Sequence, residues 1–143
     1  MSKILILTAG FGEGHNSAAR SLAAAFNEHS PAAVAEIIDV FALRAPTLNE
    51  LSRRAYLGLI NRAPQVWSGI YRWLDHSPRA PQVFRTLASH KNLLARLIAE
   101  HDPVAICSTY PVYPWLLHEL RREGRLHCPY FTIITGALTI NSL

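Results

Sequence analysis

Several things are scarce in this chain, and each scarcity closes off a class of protein. There are two cysteines, Cys107 and Cys128, in 143 residues. Both stand in apolar, strand-like surroundings with no metal-ligand spacing, which reads as a pair of buried free thiols. The seven histidines form no His-x-x-x-His or His-Glu-x-x-His pattern, so no metal site is expected. No apolar run approaches the roughly 18 residues needed to cross a bilayer. Lys3 is followed by only four aliphatic residues before a glycine-rich stretch, too few for the apolar core of a signal peptide, so a cytoplasmic protein is expected. Internal repeats and low-complexity segments are absent.

What is present is apolar and globular. Half of the residues are hydrophobic, enough for one domain with a sizeable core. Three of the seven glycines, Gly10, Gly12 and Gly14, fall in one stretch, Thr8-Ala9-Gly10-Phe11-Gly12-Glu13-Gly14-His15-Asn16. A short aliphatic run, Lys3 to Leu7, precedes it. An Ala- and Leu-rich helix former, Ser17 to Phe26, follows. The glycines therefore sit where a buried strand turns into a helix. Glycine lets a backbone or ligand approach closely, and a helix start offers free N–H groups and partial positive charge. His15 stands at the rim. The spacing is not Gly-x-Gly-x-x-Gly, and no Gly-Lys-Ser/Thr follows, so neither the dinucleotide fingerprint nor a P-loop is present. A ligand-binding loop and a turn whose glycines serve only packing both fit this pattern. For His15 itself, the plain alternative is a residue capping or packing the helix start.

The rest of the chain alternates. Val34 to Val40 reads as a second strand, Val104 to Ser108 as a third and Tyr130 to Ile134 as a fourth. Between them lie helical patterns. Leu48, Leu51, Ala55 and Leu59 make an inward stripe that Pro64 interrupts, and Gln65 to Asp75 continues the helical spacing. Val83 to His101 carries Phe84, Leu87, Leu94, Leu97 and Ile98, and Asp102-Pro103 stops it. Val112 to Arg122 turns Trp115, Leu116 and Leu120 inward before Gly124. This order implies an α/β fold with a doubly wound, mostly parallel, Rossmann-like sheet. Ligands of such sheets sit beyond the carboxyl ends of the strands. The Gly loop and Ser108-Thr109-Tyr110-Pro111 both lie at such ends and are expected to share a cleft, although an ordinary strand-to-helix connection also fits the second.

Charge is uneven. The chain carries +4 overall, yet residues 44 to 85 hold seven arginines against Glu50 and Asp75. Aromatic residues interleave there, among them Tyr56, Trp67, Tyr71 and Trp73. The pattern suggests an anionic partner surface, or a core stripe with a basic outer face.

The stretch Ile-Leu-Thr-Ala-Gly-Phe-Gly-Glu-Gly-His-Asn-Ser-Ala-Ala resembles the opening of the monogalactosyldiacylglycerol synthase and processive diacylglycerol glucosyltransferase family. More remotely it is similar to the glycosyltransferase that makes lipid II. The resemblance implies one half of a GT-B fold: a Rossmann-like acceptor-binding domain over residues 1–143, incomplete at its carboxy end, with the nucleotide-sugar-binding domain absent. It implies inverting transfer of a hexose from a UDP-sugar to diacylglycerol, with no cofactor and no nucleic-acid partner. His15 would be the general base. Gly10, Gly12, Gly14, Asn16, Thr109, Tyr110 and Pro111 would line the substrate side. Arg53, Arg54, Arg62, Trp67, Tyr71, Arg72 and Trp73 would meet an anionic membrane, placing the protein peripherally at the inner face of the cell membrane.

Two departures from the family pattern stand out. The family commonly has His where this chain has Tyr110, and Thr-Asp where it has Thr135-Gly136. That aspartate would be a natural partner for the histidine or the acceptor. The 143-residue chain alone is thus expected to transfer no sugar, the donor needing a second domain. A non-catalytic lipid-binding module or truncated remnant of the family, and a small flavodoxin-like phosphate-binding enzyme, are the competing readings.

Overall fold

The computed structural model describes residues 1–30, 32–44, 46, 47, 50, 51, 54, 55, 58, 62, 65, 66, 69 and 87–135. Among the described residues the continuous elements are β1 (Ser2–Thr8), α1 (Glu13–His29), β2 (Ala33–Asp39), α2 (Val40–Arg44), α3 (Ala88–His101), β3 (Ala105–Ser108), α4 (Tyr113–Arg122) and β4 (Tyr130–Thr132). The four strands form one sheet in the order β2-β1-β3-β4. Every pairing is parallel. The expected α/β, doubly wound, Rossmann-like sheet is therefore present.

β1 explains the layering. A strand buried on both faces reads as a continuous apolar run rather than an alternation, and Ile4, Leu5, Ile6 and Leu7 are all buried. Ile4 and Ile6 pack with Cys107 against Ala19 and Ala23 of α1. Leu5 and Leu7 pack with Ile106 against α3 and α4, through Leu94, Ala95, Ile98, Tyr113, Leu116, Leu117 and Leu120. The small alanines of α1 bring that helix close to one face, and the leucines fill the thicker layer on the other.

The helix ends follow local chemistry. α3 stops at Asp102, which takes a left-handed φ of 44° just before Pro103. After α4, Gly124 adopts φ 69°. Its N–H reaches the Arg121 carbonyl at 3.1 Å, and the Arg125 N–H reaches Leu120 at 2.9 Å. These two bonds are the paired closure in which a left-handed glycine satisfies the last carbonyls.

Several expectations need correction. Val40 is the first residue of α2, not the last of a strand, because the Asp39 carboxylate accepts from the Ala42 N–H at 2.9 Å and starts a helical turn. β4 ends at Thr132, and Ile134 is 84% exposed. Cys107 is buried as expected, but Cys128 is only partly so, and both are free thiols. Leu51 and Ala55 do not turn inward: they are helical and exposed, as is Val66. Leu48, Leu59 and Phe84 lie outside the described residues.

Candidate functional site

In the order β2-β1-β3-β4 the chain leaves β1 for one neighbour and β3 for the other, so the carboxyl ends of β1 and β3 form the switch point of the sheet. α1 follows β1 on one face and α4 follows β3 on the opposite face. Both loops singled out in the sequence end there.

The loop after β1 is held from three sides. The Gly10 N–H donates to Asp39 Oδ2 at 2.9 Å, while Oδ1 of the same carboxylate serves Ala42. The Tyr113 hydroxyl donates to the Thr8 carbonyl at 2.7 Å and accepts from the Val40 N–H at 3.1 Å. It thereby rivets the ends of β1 and β2 to α4. Burial, aided by the nearby Asp39 charge, pushes the Tyr113 phenol well above its ordinary range, so the hydroxyl keeps its proton and the rivet stays intact. The Thr8 hydroxyl donates to Asn16 Oδ1 at 3.0 Å, tying the strand end to the first turn of α1.

Gly12 precedes α1 with φ 154°, and no side chain caps the helix. The N–H groups of the first turn are thus not taken by a capping side chain. A Cβ added at Gly14 would meet nothing within 4 Å. Space rather than packing surrounds that glycine.

His15 bridges the two loops. Its Nδ1 lies 2.5 Å from the Thr109 carbonyl oxygen and 2.8 Å from Thr135 Oγ1. The Thr109 hydroxyl returns a bond to the His15 carbonyl at 3.1 Å. Around the imidazole stands an aromatic cluster. Tyr110 meets the His15 ring edge-on at 5.2 Å, and Phe11 stacks on Tyr110 at 5.9 Å. Phe41 contacts Phe11, Tyr110 and Tyr113.

The expected residues divide clearly. Gly10, Gly12, Gly14, His15, Asn16, Thr109, Tyr110 and Pro111 gather at one sheet edge. Thr109 is 2% exposed, and its polar groups face the protein. Arg54 and Arg62 are exposed on helical backbone, Arg54 pairing with Glu50 at 2.8 Å. Arg53, Trp67, Tyr71, Arg72 and Trp73 lie outside the described residues. Sequence reasoning missed Asp39, Tyr113, Phe11, Phe41 and Thr135. An acidic residue closing the second strand of a doubly wound sheet was a usable signal for Asp39. No spacing pointed to the aromatic cluster, which three separate segments assemble.

Among the described residues, no group of three or more His, Cys, Asp or Glu could hold a metal ion. No helix among them is long and apolar enough to cross a membrane. An open cleft of about 400 Å³ lies elsewhere, between α2 and α3, lined by Leu43, Arg44, Ser89, Asn92, Leu93 and Arg96.

Fold and site together define an α/β domain whose switch point carries a glycine loop, a bridging histidine and an aromatic wall. The family model for monogalactosyldiacylglycerol (MGDG) synthase matches residues 15–140, from the bridging histidine onward. The chain belongs to that family, and so to the glycolipid glycosyltransferases. No curated protein and no solved structure matches it.

Proposed function

We propose that this domain is the acceptor-binding half of an inverting glycosyltransferase that moves a hexose from a UDP-sugar to the hydroxyl of diacylglycerol at a membrane surface. The observation that carries the reading is His15, held at the switch point between the Gly loop and the turn after β3. In the transfer, the acceptor oxygen attacks the anomeric carbon, the bond from that carbon to UDP breaks, and UDP leaves with the electron pair. The proton released by the acceptor hydroxyl passes to the His15 imidazole, whose class of side chain suits proton transfer near neutral pH.

The neighbouring groups fit the same task. Phe11 and Tyr110 offer apolar faces beside the imidazole, suited to the hydrocarbon of a glycerolipid. The uncapped start of α1 offers N–H groups to donor phosphates. A second Rossmann-like domain supplies the donor site, and closing the two halves positions the reacting atoms, worth about 7–11 kcal/mol of barrier. Toward the membrane, Leu51 and Val66 are 65% and 52% exposed on helical backbone that also presents Arg54 and Arg62. Such apolar and cationic side chains suit an anionic interface, each basic residue near it contributing about 1 kcal/mol.

The test is transfer from labelled UDP-glucose or UDP-galactose to diacylglycerol, by the chain alone and by the chain fused to a family carboxy-terminal domain. Turnover by the fusion only is the expected result. Turnover by the bare chain would refute the need for a second domain. A fusion active only after Gly136→Asp would make the natural chain a binding module. Vesicle flotation completes the test. Binding to anionic vesicles is expected to weaken as salt rises and after Arg54→Ala with Arg62→Ala, because exposed charge is screened within about 10 Å at 0.1 M. Equal binding to neutral vesicles would remove the electrostatic part.

A further inference from the structure

His15 Nδ1 lies 2.5 Å from a carbonyl oxygen, and a carbonyl has no proton to give. The contact is a hydrogen bond only if Nδ1 carries the hydrogen. Thr135 Oγ1, 2.8 Å from the same nitrogen, then accepts a share of it. We propose that Thr109 is the positioning residue of this site, its backbone carbonyl holding the neutral His15 imidazole in the Nδ1–H form and leaving the Nε2 lone pair as the base. The inference rests on reading His15 as the group that takes the acceptor proton.

Thr109 is built for this. It is buried, its N–H donates to the Leu7 carbonyl at 2.9 Å, and its hydroxyl donates to the His15 carbonyl at 3.1 Å. One residue thus grips the end of β1, the backbone of His15 and the ring of His15 together. A histidine base is commonly oriented in this manner by a partner on its other nitrogen. That partner is often a carboxylate. Here Asp39, a carboxylate that reaches this loop, already has its oxygens committed to the N–H groups of Gly10 and Ala42, and the Glu13 carboxylate pairs with Arg20. The carbonyl takes the orienting role instead. Orientation of the base therefore does not require an aspartate at position 136.

The experiment reads the tautomer directly, without sugar transfer. Long-range ¹H–¹⁵N correlation spectra of the 143-residue chain, recorded at a pH where histidine is neutral, distinguish a protonated Nδ1 from a protonated Nε2. His15→Gln assigns the signal. A protonated Nδ1 is expected, and a protonated Nε2 overturns the proposal. Thr135→Val should keep the Nδ1–H pattern, and a switch to Nε2–H there would move the role to Thr135 and overturn it too. Thr109→Val, which keeps the carbonyl but loses the hydroxyl grip, should mix the two tautomers, with Thr109→Ser restoring the pure pattern. A folded Thr109→Val with an unchanged spectrum would overturn the grip. If that variant does not fold, the first two spectra still decide. A chain with protonated Nδ1 that fails to support transfer in the fusion would defeat the functional reading alone. Protonated Nε2 in a fusion that does transfer would defeat this inference alone.

Discussion

Two histidines stand at opposite ends of one aromatic cluster, and they are treated in opposite ways. At one end, His15 meets Tyr110 edge-on and gives its Nδ1 to a backbone carbonyl. At the other, His90 of α3 lies 4.8 Å from Phe41, and its buried Nδ1 has no hydrogen-bond partner among the described residues. Burial, with the Arg44 guanidinium nearby, pushes the His90 imidazole below its ordinary value. The same side chain is tied to a backbone carbonyl at the switch point, whereas burial disfavours its charged form where α2 and α3 pack. The difference arises from neighbours, a backbone carbonyl of the turn after β3 in one case and the Phe41 ring with the Arg44 guanidinium in the other.

Breaking the first end should give the largest effect. His15→Gln in the two-domain fusion is expected to lower transfer about 10²–10⁴-fold, the usual worth of a positioned general base, with the thermal midpoint of the chain nearly unchanged. Parallel loss of rate and fold stability would instead make His15 a packing residue. Kinetics and a melting curve on the same sample decide.

The rivet that joins both ends comes next. Tyr113→Phe removes the hydroxyl that serves the Thr8 carbonyl and the Val40 N–H, in a side chain that is 0% exposed. Leaving buried partners unsatisfied costs about 1–3 kcal/mol, to be read from denaturant unfolding. A cost near zero would mean that water replaces the hydroxyl.

The Gly loop sharpens the contrast between function and fold. Gly14→Ala puts a Cβ into open space within a helix, so stability should rise by about 0.5–1 kcal/mol, while ligand binding at the loop weakens. Gly12→Ala, at φ 154°, should destabilise. If Gly14→Ala stabilises the fold and leaves transfer in the fusion intact, the ligand does not approach that backbone.

The smallest effect belongs to His90. Its value is lowered in the folded chain, so the unfolded chain binds more protons as pH falls through the ordinary histidine range. Stability from this group is fully present above about pH 6.5 and declines below it. Thermal midpoints measured from pH 7.5 to 5 should fall, and His90→Leu should flatten that slope. An unchanged slope would place the acid sensitivity elsewhere.

Much of the architecture was legible because it is local. The apolar run Ile4 to Leu7 between a charged start and a glycine loop marks a strand buried on both faces. Asp102-Pro103 and Gly124 end helices by backbone preference alone. The inward stripe assigned to Leu51 and Ala55 failed for a definite reason: helical spacing names a face but not what covers it, and these residues face outward. Membership of the family was carried by one short motif around His15 and was legible too.

The chain by itself determined the alternation of strands and helices, the place of the glycines and the choice of a histidine beside them. Those features depend on φ/ψ preferences and on side chains a few residues apart. Only the tertiary structure decided what His15 touches. Its partners Thr109 and Thr135 lie 94 and 120 residues away. The parallel register of β1 with β3, pairing Leu7 with Ser108, brings the ends of those strands side by side. A register shift of one residue would reverse the strand's facing pattern and separate the carbonyl from the ring. Such a pairing is a property of two packed faces, not of any local stretch, and no spacing in the sequence records it.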